Sequence, residues 1–237
     1  DMDAIMAIAN EHKLFVIEDN CQAIGGVHTG ADGTKRKSGT IGHIGTTSFF
    51  PSKNLGCYGD GGALFTNDEA IAKKIRRVCN HGSDVRYYHE VIGVNSRLDS
   101  LQAAVLRIKL RNLDAYAAAR NAAATHYDTA FAGLEHISTP ERSAHSDHVF
   151  HQYTLRVTGG HRDGLKQHLE ANGVPAMIYY PVPCHLQNAF RTERFPQGSL
   201  PVTEQLTHEV LSLPMSTELD NEQLAHITAT VKSYFNQ

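Results

Sequence analysis

The hydrophobic spacing opens on a short helix over residues 2–12, with Ile5, Met6 and Ile8 on its apolar side. The continuous apolar run Leu14-Phe15-Val16-Ile17 then reads as a strand of a parallel sheet covered on both faces. Glu18 and Asp19 end it, at the kind of strand end where open α/β sheets collect ligand groups. Residues 29–42 are rich in Gly, Thr, Lys and Ser and predict a surface loop or hairpin. Residues 46–50 predict a second short buried strand. Asp60-Gly61, between residues 55–58 and 63–66, predicts the tight turn of a hairpin. Asn67 or Asp68 is placed to cap a helix ending near Cys79, with Gly82 just beyond it.

Leu98, Leu101, Val105 and Ile108 recur at spacings of three and four and predict a long amphipathic helix from Asp99. Alanine-rich sequence carries the helical signal to about Gly133. Beyond Pro140 the pattern shortens. Residues 152–157 alternate as a strand, 163–172 read as a helix stopped by Gly173, and 174–180 read as a strand. Asp220-Asn221-Glu222-Gln223 has the form of a capping box for a final helix. The expected organisation is a large sheet-containing domain over residues 1–110, a linking helix region over 111–140, and a small α+β domain over 141–237. The chain opens inside a helix without an initiator Met, so an amino-terminal part of the fold is expected to precede it.

Composition changes this picture only by exclusion. With 237 residues and a net charge of −3, nothing supports a nucleic-acid or membrane-surface partner. No apolar stretch is long enough to span a bilayer. The cysteines, Cys21, Cys57, Cys79 and Cys184, form no C-x-x-C pair, which fits a reducing cytoplasm.

The chemistry centres on Lys53, which follows the apolar Phe49 and Phe50 and precedes Gly56, Gly59, Gly61 and Gly62. A confined lysine can form an imine with an aldehyde cofactor, and its amine can carry protons. Asp19 is placed to hold a pyridine nitrogen in its protonated form, and Gln22 could touch the ring hydroxyl or the substrate. The Ser48 hydroxyl could meet a phosphate. Asn95 and Arg97 are free to face an anion at a helix start, while Ser96 or Asp99 caps that helix. The spacing His145-x-x-His148-x-x-His151 invites a metal reading, but no fourth ligand is evident and surface histidines account for it better.

Four segments, VIEDNCQAIGG at 16–26, TSFFPSKNLGCYGDGGALFTND at 47–68, GVNSRLDSLQAAVLRIKL at 93–110 and YYPVPCHLQNAF at 179–190, together resemble the DegT/StrS nucleotide-sugar aminotransferase family. The resemblance covers essentially the whole chain. It implies an α/β protein of the pyridoxal-phosphate transferase fold type I, like aspartate aminotransferase, with a large mostly parallel sheet and a small carboxy-terminal domain. About a third of that two-domain fold is expected to lie before Asp1. The resemblance makes Lys53 the Schiff-base lysine and Asp19 the pyridinium partner. Gln22 lies beside the ring and Ser48 on the phosphate. Asn95 reaches the phosphate of a neighbouring subunit's cofactor, so the active sites are shared across a homodimer. Arg97, Tyr179 and Tyr180 approach the sugar. The implied substrates are L-glutamate and a keto-sugar nucleotide, with UDP-2-acetamido-2-deoxy-3-oxo-glucuronate the nearest resemblance. The family often carries His-Tyr where this chain has Tyr179-Tyr180. Dehydratases of the same family carry a histidine at the position of Lys53, which counts against that activity. A cofactor-binding chain without turnover remains the alternative.

Overall fold

The computed structural model describes residues 1–236 and divides the chain into two compact units. The first holds Asp1–Ala118 with Arg142–His151; the second holds Ala119–Glu141 with Gln152–Gln237. The linking region of the sequence reading is therefore shared between them, and residues 142–151 return to the first unit.

In the first unit, helix α1 (Met2–Glu11) starts at Asp1, whose carboxylate accepts the N–H groups of Asp3 and Ala4. Strand β1 (Ile17–Asp19) begins where the apolar run was expected to end. Leu14, Phe15 and Ile17 are exposed, Phe15 by 79%, which corrects the expectation of a run buried on both faces. The physical reason is position. Among the described residues, β1 lies at the edge of a three-stranded sheet and has one strand neighbour, β4 (Ile44–Ser48). The β1–β4 pair is parallel, with Asp19 opposite Thr46. On its other side β4 pairs antiparallel with β5 (Gly62–Phe65).

Glu18 points away from its neighbour Asp19, as alternate strand residues must. Its carboxylate accepts the N–H groups of Gly39 at 2.7 Å and Ile41 at 2.6 Å, and that of Gly42 as well. This fixes the turn leading into β4. The turn packs so closely that a Cβ on Gly45 would lie 1.9 Å from the Gly39 carbonyl oxygen. Strands β2 (Val27–Thr29) and β3 (Lys35–Lys37) form the hairpin expected over 29–42.

Residues 55–58 form no strand, so the hairpin expected around Asp60-Gly61 does not exist. Leu55 and Cys57 are instead buried with Phe49, Leu106 and Leu113 in a core cluster. The true partner of β5 is β4, across a long loop. Helix α2 (Glu69–Cys79) has Asp68 as its cap, and Gly82 follows at φ +74°. A short hairpin, β6 (Ser83–Val85) with β7 (Tyr88–His89), comes next. The long helix is broken: α3 (Ser100–Lys109) gives way to a 3₁₀ turn (Leu110–Asn112) and then α4 (Leu113–Phe131). Asp99 sits at the α3 cap position without a side-chain bond, and α3 buries Leu106 rather than the expected stripe. Leu101 is 76% and Ile108 66% exposed.

In the second unit, β11 (Val210–Leu213), β10 (Tyr153–Val157) and β8 (Ile137–Ser138) form an antiparallel sheet in that order. Helices α5 (Arg162–Ala171), α6 (Pro201–Glu209) and α7 (Asn221–Phe235) accompany it. Tyr127, Phe131, Tyr153, Leu155, Leu165 and Leu169 are almost wholly buried. The capping box at Asp220 forms as expected. Residues 174–180 are not a strand; only Met177 bridges, to Ser212 on the open side of the edge strand β11. Among the described residues no helix is long and apolar enough to cross a membrane.

Candidate active site

Lys53 rides on the loop between β4 and β5. Two apolar anchors hold this loop: Phe49 before the lysine and Leu55 after it, both in the core cluster. The backbone turns sharply, with the Lys53 N–H on the Phe50 carbonyl at 2.9 Å and the Cys57 N–H on the Phe49 carbonyl at 2.8 Å. A Cβ on Gly56 would sit 2.4 Å from the Pro51 carbonyl oxygen, so the turn requires glycine there. Side chains from elsewhere pin the outside of the loop. Asn54 donates to the Val149 carbonyl at 3.2 Å, Gln102 accepts the Tyr58 N–H at 2.8 Å, and the Lys109 ammonium donates to the Gly56 carbonyl at 2.7 Å. Gln102 and Lys109 stand on α3, where nothing in the sequence marks them as supports. Among the described residues the partly buried Lys53 amine makes no hydrogen bond, so it is available for chemistry.

Asp19 ends β1, and the parallel pairing of β1 with β4 brings it into the same region. Its carboxylate lies below the ordinary aspartate range. The Cys21 thiol and the Cys21 N–H, the latter at 3.1 Å, are the larger causes, and the charge of Lys53 lowers it further. Asp19 is therefore ionised at neutral pH and feels Lys53 electrostatically. Cys21, which sequence reasoning passed over, is pushed up by burial and by its bond to Asp19, and it also meets the Thr46 hydroxyl at 4.0 Å. Its position two residues after the acid was the available signal.

Gln22 is exposed on the turn after Cys21. Ser48 closes β4, its hydroxyl taking the Phe50 N–H at 3.3 Å. Asn95 and Arg97 lie exposed on the segment before α3, with Asn95 bridged through its backbone to Asn80. Tyr179 and Tyr180 belong to the second unit, and their rings meet edge to face at 5.6 Å. Thus the first unit brings Asp19 and Lys53 within electrostatic reach of each other, with Ser48 at the end of β4 before the lysine loop and Gln22 on the turn after Asp19.

Residues 1–232 match the sequence profile of the DegT/DnrJ/EryC1/StrS aminotransferase family. The chain belongs to this family. It is 45% identical over 232 residues to UDP-N-acetyl-3-dehydro-alpha-D-glucosamine 3-aminotransferase of Acidithiobacillus ferrooxidans, covering 98% of this chain and 60% of the relative. It is 41% identical over 231 residues to UDP-2-acetamido-2-deoxy-3-oxo-D-glucuronate aminotransferase of Pseudomonas aeruginosa, covering 98% and 61%. The fold superimposes on Streptomyces venezuelae DesV, solved in complex with a ketimine intermediate, with a TM-score of 0.93 and 41% identity, covering all of this chain and 62% of DesV. The chain thus spans about three-fifths of the length of these relatives. The family's enzymes use pyridoxal phosphate and have fold type I. The described sheet of this fold is mixed, with one parallel and one antiparallel pair.

The residues present fit pyridoxal phosphate. Its ring needs a carboxylate that stays ionised, and Asp19 is one. Its aldehyde needs an uncommitted amine, and Lys53 supplies it.

Proposed function

We propose that this protein is a pyridoxal-phosphate-dependent aminotransferase that moves an amino group from L-glutamate to a keto-sugar nucleotide, in the cytoplasm. The observation that carries the proposal is the parallel pairing of β1 with β4, which brings Asp19 at the end of β1 into the same region as the loop after β4 that bears Lys53. When bound, the cofactor supplies an electron sink for the pair of electrons left on the substrate carbon as its proton departs. Asp19 keeps the ring nitrogen protonated, and its charge stabilises that state. Lys53 would take the proton from the substrate carbon as base and later give it up as acid. The same residues act in reverse on the second substrate. With the cofactor bound, the Ser48 hydroxyl would hold its phosphate and Gln22 its ring, and Arg97 in the first unit and Tyr179 and Tyr180 in the second are each proposed for the sugar nucleotide.

Asn95 completes the phosphate site of a second copy, so the working unit is a homodimer. The exposed apolar side chains before and along α3, Ile92, Val94, Leu101 and Ile108, support such a contact. The relatives differ in their sugars, and the 3-oxo-glucuronate nucleotide is the proposed substrate on the strength of the second relative above. The free thiols of all four cysteines suit the proposed compartment. The test is borohydride reduction of protein loaded with pyridoxal phosphate, followed by peptide mapping. The label is expected on Lys53, with Lys53→Ala colourless and inactive; a label on another lysine, or activity in Lys53→Ala, overturns the proposal.

A further inference from the structure

Apart from the site above, four ligand-type side chains converge at one end of the first unit. Asp1 and Asp3 come from the start of α1, and His28 from β2. His145 comes from the residue preceding β9 (Ser146–Asp147), a strand that pairs with β2. One ligand atom each from Asp1, Asp3 and His28 lies within 4.8 Å of the others. His28 Nε2 stands 3.5 Å from Asp3 Oδ1, and His145 Nε2 stands 3.9 Å from Asp1 Oδ2. The two imidazoles face each other with centroids 6.5 Å apart.

Acidic groups near a histidine are common, so His28 decides the matter. It is only 6% exposed, yet its Nε2 makes no hydrogen bond. It lines a cavity of about 350 Å³ together with Asp1 and His145, and Asp19 of the site above borders the same cavity. A buried imidazole nitrogen without a hydrogen bond is costly unless a ligand takes it. Bonds of about 2.0–2.1 Å in tetrahedral geometry put ligand atoms about 3.3 Å apart. The His28–Asp3 pair at 3.5 Å is near that spacing, the atoms of Asp1, Asp3 and His28 within 4.8 Å of one another must draw together, and the half-exposed His145, 3.9 Å from Asp1, must swing inward to join them.

We propose that Asp1, Asp3, His28 and His145 bind one divalent transition-metal ion of the zinc class. Two imidazoles with two carboxylates select such an ion over calcium or magnesium, which take oxygen ligands. The supporting contacts are present. Asp1 Oδ1 is held by the N–H groups of Asp3 and Ala4 at 3.1 Å, which leaves Oδ2 for the ion. Asp3 Oδ2 is held by the Ala31 N–H at 2.9 Å, which leaves Oδ1. Arg36 now occupies Asp3 Oδ1 and must yield it, so the guanidinium competes with the ion. Once bound, the ion ties α1 to the β2–β3 hairpin and to the segment before β9. Of the histidines at 145, 148 and 151, only His145 takes part; the His148 ring instead packs edge to face on Phe150 at 4.5 Å.

The experiment is zinc titration of chelator-stripped protein by calorimetry, with cobalt absorption as a report of tetrahedral geometry. One zinc per chain is expected, with a higher melting temperature. His28→Ala and His145→Ala should each weaken binding at least about tenfold, the cost of losing even an outer supporting group. Arg36→Gln should strengthen it. His226→Ala, distant in sequence and bonded to the Asn172 carbonyl, serves as the control for adventitious binding and should change nothing. His145 is half exposed, so its variant is expected to fold even if His28→Ala does not. Absence of binding, or binding unchanged in His145→Ala, overturns the proposal. The readout is independent of transamination.

Discussion

Replacing Leu55 with Ala tests whether the loop bearing Lys53 is held by its hydrophobic anchors. Leu55 is 3% exposed and packs in the cluster with Phe49, Cys57, Leu106 and Leu113. The substitution removes about three methylene equivalents, or about 2.4 kcal/mol of transfer free energy at ~0.8 kcal/mol each. The hole left behind adds to this. A residual cavity of some 30–40 Å³ contributes a further ~0.8 kcal/mol at ~24 cal/mol per Å³. The expected loss is therefore about 3 kcal/mol, and the neighbours cannot collapse fully because Asn54 and Gly56 are tied to Val149 and Lys109. The assay is urea unfolding followed by far-UV circular dichroism, since the chain has no tryptophan to report fluorescence. The midpoint should fall with an unchanged slope. Cofactor-dependent absorbance should weaken as well, because Lys53 is two residues away. A loss below about 1 kcal/mol, with cofactor binding intact, would refute the claim that this cluster positions the lysine.

Three further outcomes follow from other contacts. Gly45→Ala drives a Cβ into the Gly39 carbonyl and should abolish soluble expression; recovery of a normally melting protein would show that the turn yields. Tyr127→Phe removes the hydroxyl that donates to the Pro214 carbonyl at 2.9 Å and should cost about 1 kcal/mol in thermal unfolding, an effect absent if water replaces the bond. Glu204 accepts from His185 at 3.0 Å and from the N–H groups of Gly198 and Leu200, which lowers its carboxyl below the usual 4.5. Because the folded value is the depressed one, its stabilisation is present above about pH 4.5 and is lost as pH falls through the folded value. The melting-temperature gap between the protein and Glu204→Gln should therefore narrow as the pH is taken below about 4.5, and a constant gap would contradict this.

The sequence was most legible where local chemistry is self-sufficient. The caps at Asp68 and Asp220 and the stops at Gly82 and Gly173 all formed, since each depends on a few neighbouring residues. Lys53 and Asp19 could be singled out by residue type, but their proximity comes from the pairing of β1 with β4, which no local pattern encodes. The failures share one cause. An apolar residue announces that it will be covered, not by what. Leu55 and Cys57 looked like half a hairpin and are loop anchors in a core; Leu101 and Ile108 looked like a core stripe and stand exposed. Residues 174–180 had strand character, but their pairing with the edge strand β11 stops at the single Met177–Ser212 bridge. His28 and His145 are far apart in the chain, so their meeting across β2 and β9 was invisible to spacing.

The two acids side by side in β1 carry a last consequence. One ties down the turn into β4 and the other faces the lysine, and the backbone's up-and-down alternation alone assigns the tasks. Sliding the strand by a single position would turn each acid to the other's face, setting a carboxylate one methylene longer toward the lysine and one shorter toward the turn. An error in assembling this sheet would therefore disturb architecture and chemistry together.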